Sequence, residues 1–279
     1  MSSSDNQPSS PYGVSDLTYN DYLKVPELLS LQQLLSQPPH HDEMLFIVIH
    51  QTYELWFRLI LHELEKSIKL MRAQHVLQAH HFLHRVVTIM RLLVQQIHVL
   101  ETMTAADFLK FRDRLEPASG FQSLQFREIE FIVGVRDARY IDNFAQRERE
   151  KSALERRLRE PSLRDAYYDL LRTSDFDIPA DISTAALEQD EAARTRLLEA
   201  LKQIYQDPIE QAPLYMLSES LVDLDQLLSL WRYHHVLVVE RIIGNRRGTG
   251  GSSGAAYLRT TLEKRAFPYL WQVRTWLEA

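Results

Sequence analysis

Cysteine is absent from the 279-residue chain. That excludes disulfides, thiolate ligation of haem, covalent CxxCH attachment, iron–sulfur clusters and cysteine-type zinc sites, so any metal would be held by histidine or carboxylate. A basic field is missing too. Lys and Arg number 32 against 38 Asp and Glu, the formal charge is −6 and the pI is near 6.0. The arginine clusters alternate with glutamate, as in RERE at 147–150. A phosphate backbone would meet no cationic surface, and no nucleic-acid partner is expected. The N-terminal MSSSDNQPSS has neither the charged region nor the apolar run of a signal peptide. Residues 1–15 read as a disordered, solvated lead-in, and the expected location is cytoplasmic. Alternating apolar and polar residues never extend beyond a few positions, which leaves an all-α class.

What is present is helical spacing around one core. With 45% apolar and 25% charged residues, residues 16–279 read as a single helical domain. A short segment at 17–35 leads to Pro38 and Pro39, and Asp42 is the expected N-cap of a helix running to about residue 73. A second helix is expected over about 75–100. Thr104 with Asp107 resembles a cap that opens a third. Residues 136–205 read as a variable helical insertion, more charged and broken by Pro161 and Pro179. A last long helix covers about 214–243. The run MLFIVIHQTYELWFRLIL (44–61) has the length of a membrane span, but His50, Gln51, Glu54 and Arg58 inside it are costly in lipid. It reads as a helix of a soluble bundle, with no membrane partner.

Glycine is scarce, and five of the eight glycines fall in RIIGNRRGTGGSSG at 241–254. The string GGSSG matches the hydrolase elbow GxSxG, which needs a strand before it and a histidine after it. The preceding residues are helical and no histidine follows Ser252. Neither the GxGxxG nor the GxxxxGK spacing of phosphate-binding loops is present. Two readings stay open: a surface turn with Gly244 as helix C-cap, or a functional loop that works with His234 and His235 upstream.

Eleven histidines are too many for all to have a role. His80 and His84, at i and i+4, read as a half-buried face, and His40 and His41 as loop residues. His50 sits between Phe46 and Glu54 on an apolar helix, where a satisfied core histidine is the ordinary reading. Arg112 follows Phe108 by one turn, and a guanidinium there needs an internal or a ligand carboxylate. Together these features suggest a pocket for a small aromatic acid.

Several stretches in order resemble the tryptophan 2,3-dioxygenase family. They are YNDYL (19–23), HDEMLFIVIHQTYELWF (41–57), ETMTAADFLKFRDRLEPASGFQSLQFREIEF (101–131), LWRYHHVLVVERIIG (230–244), GTGGSSG (248–254) and FPYLWQVRT (267–275). The resemblance is weakest over 136–200. It implies a homotetramer of helical haem proteins with one b-type haem per subunit, ferrous when active. It also implies insertion of both atoms of O2 across the indole C2–C3 bond of L-tryptophan to give N-formylkynurenine, the first step of tryptophan degradation by the kynurenine route. Position by position, His235 is implied as the axial ligand of the haem iron, and Ser119 and Gly120 as neighbours of the haem. His50 is the implied catalytic residue and accepts the indole N–H. Phe46 and Phe108 pack on substrate, Arg112 grips the carboxylate, and Thr249 contacts the ammonium or carboxylate. Tyr19 and Tyr22 are implied to reach in from a neighbouring subunit. Phe108 stands where some bacterial relatives have tyrosine, and Ile97 where a tryptophan sometimes lies near the haem. The alternative on the same fold is a haem-dependent oxygenase of a substituted tryptophan or indole in secondary metabolism.

Overall fold

A computed structural model describes residues 17–249 and 254–277; the lead-in 1–15 and the loop residues Gly250, Gly251, Ser252 and Ser253 lie outside the described residues. Among the described residues there is no strand, and thirteen α-helices follow one another. They are α1 (Tyr19–Leu23), α2 (Val25–Leu29), α3 (His41–Arg72), α4 (Val76–Leu100), α5 (Ala105–Phe111), α6 (Leu124–Val133) and α7 (Glu148–Arg159), then α8 (Leu163–Thr173), α9 (Thr184–Gln189), α10 (Glu191–Gln206), α11 (Ala212–Ile243), α12 (Ala255–Arg259) and α13 (Pro268–Gln272). Short 3₁₀ turns lie at Arg112–Arg114, Gly120–Gln122, Ala138–Phe144 and Val273–Trp276.

The centre is α4, packed against both α3 and α11. Its sequence explains why: Ala79, Leu83, Val86, Val87, Met90, Leu93, Val94 and Ile97 are buried at spacings of three and four, an apolar stripe wide enough for two neighbours. The reverse face of α3 takes α6 and α8. Although α3 has the length and apolar content of a membrane span, it carries the buried carboxylates Glu43 and Glu63 and packs on these helices. The segment 136–205 is part of the same body. Leu163, Tyr167 and Leu171 from α8 and Leu197, Leu201 and Ile204 from α10 belong to the main core.

Two buried carboxylates hold chain segments through backbone donors rather than cations. Glu43 accepts the N–H groups of Leu35 and Ser36 and the Ser36 hydroxyl, which ties the N-terminal segment to α3. Asp225 accepts the N–H groups of Ala266 and Phe267 at 2.8 and 3.2 Å and the Trp271 indole N–H at 3.0 Å, which docks the C-terminal segment on α11.

The helix bounds expected at 75–100 and 214–243 agree with α4 and α11 to within two residues. Thr104 caps α5 and accepts the Asp107 N–H. The start of α3 differs from expectation. Its N-cap is His40, whose Nδ1 accepts the Asp42 N–H at 3.3 Å, and His41 is already helical. An imidazole acceptor here does the work that a carboxylate usually does, and Asp42 serves the first turn electrostatically. The segment 17–35 is split into α1 and α2 by Lys24 in a left-handed conformation at φ 55°.

Candidate functional site

The two longest helices supply the walls of a partly open cavity of about 260 Å³. From α3 come Phe46, His50, Tyr53, Glu54 and Phe57; from α11 come Trp231, Arg232, His235, Val238, Val239, Ile242 and Ile243. Ile97 and Leu100 of α4 close one side. Phe108 and Arg112, the Ser119–Gly120 turn, and Gly248, Thr249 and Gly254 of the glycine loop complete the lining.

His50 is fixed by its own helix. Its Nδ1 lies 2.7 Å from the Phe46 carbonyl oxygen, and a carbonyl only accepts, so the proton sits on Nδ1 and Nε2 keeps its lone pair. His50 and His235 both line the cavity, His50 with accessible surface and His235 half-buried, and neighbouring protein crowds both rings. That burial lowers the His50 pKa, although the Phe46 carbonyl and the charge of Glu54 act in the opposite direction. It pushes His235 down to about 4, helped by His50 and Arg127. Both are neutral imidazoles at pH 7. The His235 ring stacks on Trp231 at 5.2 Å and forms no hydrogen bond among the described residues. A neutral, unengaged imidazole facing a cavity is a ready metal ligand.

The aromatic wall next to His50 is Phe46, at 4.2 Å from its ring, with Phe108 and Phe111 at 5.7 and 5.8 Å from Phe46. At the rim, Arg112 donates from Nη2 to the Arg247 carbonyl at 2.6 Å, and Thr249 donates from its hydroxyl to the Ala118 carbonyl at 2.5 Å. These two bonds lash the glycine loop to the 112–120 segment. The Arg112 side chain is 14% exposed, its Nη1 is 3.7–3.8 Å from Glu116 and Asp113, and its Nε has no partner among the described residues. At the far end of the loop, Gly254 has φ +65°, and a Cβ there would lie 2.7 Å from the Arg246 carbonyl oxygen. Only glycine allows that closure.

Sequence reasoning overlooked a charged group in the wall. Arg127 and Arg232 both donate to Glu130, the latter at 2.9 Å, leaving one net positive charge among three buried side chains. The Nε atoms of Arg127 and Arg232 are buried without partners among the described residues. The signal was available: FREIEF at 126–131 places an arginine and two glutamates within an apolar helix, and all three are buried.

Of the sequence-derived site residues, Phe46, His50, Phe108, Arg112, Ser119, Gly120, Thr249 and His235 all line this cavity, as does Ile97. Tyr19 and Tyr22 do not; they are 74% and 73% exposed on α1. His234 points away from the cavity, and His80 engages the Ser220 hydroxyl at 3.1 Å.

A family model described as tryptophan 2,3-dioxygenase matches residues 3–178 and 189–277. The chain is 46% identical to a tryptophan 2,3-dioxygenase of Nocardioides sp. over 94% of its own length and 95% of that protein's. It is 47% identical to one of Herpetosiphon aurantiacus, covering 92% and 97%, and 44% identical to one of Caulobacter vibrioides, covering 93% and 98%. The chain belongs to the tryptophan 2,3-dioxygenase family. The family implies a haem-type cofactor, and the residues present fit one. His235 has a neutral ring nitrogen that would hold such a group, and the Arg127 and Arg232 Nε atoms, without a partner among the described residues, suit an anion. An added Cβ at Gly120 would meet nothing within 4 Å, so the backbone there borders open space.

Proposed function

We propose that this chain catalyses the insertion of both atoms of O2 across the indole C2–C3 bond of L-tryptophan, giving N-formylkynurenine, with haem b held on His235. Bound in its ferrous form, one per subunit, the haem supplies the oxygen chemistry. The observation that carries the reading is the Phe46–His50 bond: it leaves an imidazole lone pair in the same cavity as the unengaged His235.

The chain's own groups do the positioning. His50 Nε2 accepts the indole N–H and orients the ring. An indole N–H is too weak an acid to need removal by a base, so His50 acts as an anchor. Phe46 and Phe108 pack on the indole faces. Arg112 takes the carboxylate through paired donors, a geometry lysine does not reproduce. The Thr249 hydroxyl donates to Ala118 and its remaining lone pairs accept, which favours contact with the substrate ammonium over the carboxylate. The loop then excludes water from the reacting atoms.

Tyr19 and Tyr22 are proposed to complete a neighbouring subunit's site in a homotetramer. Supporting this, α1 and α2 bury none of their residues and leave Leu23, Leu28 and Leu29 exposed as well. The haem-loaded, reduced protein should show a Soret band and, with L-tryptophan in air, form product at the near-ultraviolet wavelength of N-formylkynurenine, carrying two atoms from labelled O2. A Soret band with a singly oxygenated product would refute the dioxygenase assignment.

A further inference from the structure

The paired histidines of α11 do not share one role. His235 faces the cavity, while His234 turns towards the C-terminal end of α4, where it meets His98 edge-on at 5.2 Å between ring centroids. His98 Nδ1 is 2.9 Å from a carboxylate oxygen of Glu101, the residue that caps α4. One ligand atom from each of His98, Glu101 and His234 lies within 4.8 Å of the others. None of the three lines the cavity.

We propose that these residues bind a divalent first-row transition ion of the zinc class, with solvent completing a tetrahedral shell. Two imidazoles and one carboxylate are borderline ligands that favour such an ion over magnesium or calcium. Bonds of about 2.0–2.2 Å in a tetrahedron put ligand atoms roughly 3.4 Å apart. The approach required from the present spacing is within reach of side-chain rotation, because His98 is exposed and Glu101 and His234 are half-buried. The backbones already stand in place, since α4 and α11 pack along their lengths. The bound ion staples the end of α4 to α11 one residue before His235. This site is separate from the haem reading and stands or falls without it.

The test is calorimetric titration of the untagged protein, purified with whatever cofactor it carries and dialysed against a chelator, with zinc chloride. One equivalent per chain is expected, with a zinc-dependent rise in Tm. Affinity should fall about tenfold or more in His98→Ala and in His234→Ala, and less in Glu101→Gln. The His80→Ala/His84→Ala control should bind as the parent does. Absence of zinc uptake, equal affinity in the His98→Ala/His234→Ala double variant, or loss in the His80→Ala/His84→Ala control would each overturn the assignment. Circular dichroism of each variant separates loss of the site from loss of the fold.

Discussion

The helical wall of the cavity and its rim are built on different principles. His50 and His235 stand in the interiors of two 32-residue helices, packed on α4, with ring orientations set by a helical carbonyl and by a stacked indole. Arg112 and Thr249 stand on short turns joined across more than 130 residues of sequence by two hydrogen bonds. A group that must hold reacting atoms gains from a scaffold that cannot drift, and a group that must admit substrate gains from one that opens at the cost of a few bonds. Changes in the wall should therefore abolish chemistry, and changes in the rim should weaken binding.

The largest effect is expected for His235→Ala, with activity lost and haem uptake, read from the Soret band, severely reduced. A fully active, haem-loaded variant would refute the role of His235 in the helical wall. Arg112→Lys should raise KM about 10- to 100-fold with a smaller change in kcat, since it removes paired charged hydrogen bonds of about 1.5–3 kcal/mol; steady-state kinetics decide it, and unchanged KM counts against the role. Gly254→Ala forces a side chain into a backbone region costing about 1–3 kcal/mol and into contact with the Arg246 carbonyl. It should lower kcat/KM several-fold while leaving the haem spectrum intact. The smallest effect is in pH dependence. Burial holds the folded His50 pKa below its ordinary 6.5, so in that window the unfolded chain binds more protons. Glu54 on the same helix opposes the shift, and His235, facing from α11, stays neutral above about 4. The stability that His50 affects is thus intact at neutral pH and above and declines as pH falls below 6.5, while the acceptor lone pair persists in the folded chain until pH reaches its lowered pKa. The kcat/KM profile should be flat from pH 8 to 6.5.

The same contrast decides what could be read from sequence. The long helices were legible because a stripe such as Ala79, Leu83, Val86, Met90 and Leu93 repeats a helical period over many turns. Histidines on those helices could be assigned a face, and the ordered motifs singled out His50 and His235, both of which line the cavity. The bonds from Arg112 to Arg247 and from Thr249 to Ala118 have no local signature, so the closure of the rim was not legible. Arg127 and Arg232 were missed because an arginine in a helix reads as surface unless its partner, here Glu130 on the next turn of α6, is seen to be buried with it. His40 escaped notice as a cap because histidine rarely takes that position. Residues 136–205, read as a variable helical insertion, give their α8 and α10 apolar faces to the core, a packing that their charge and prolines did not disclose.

Anchoring of the indole N–H by His50 is decided by equilibrium binding of L-tryptophan and 1-methyl-L-tryptophan to the parent and to His50→Ala. The parent should prefer L-tryptophan by about tenfold or more, as expected when a buried acceptor loses its donor, and His50→Ala should bind the two nearly equally. An undiminished preference in His50→Ala would contradict the claim.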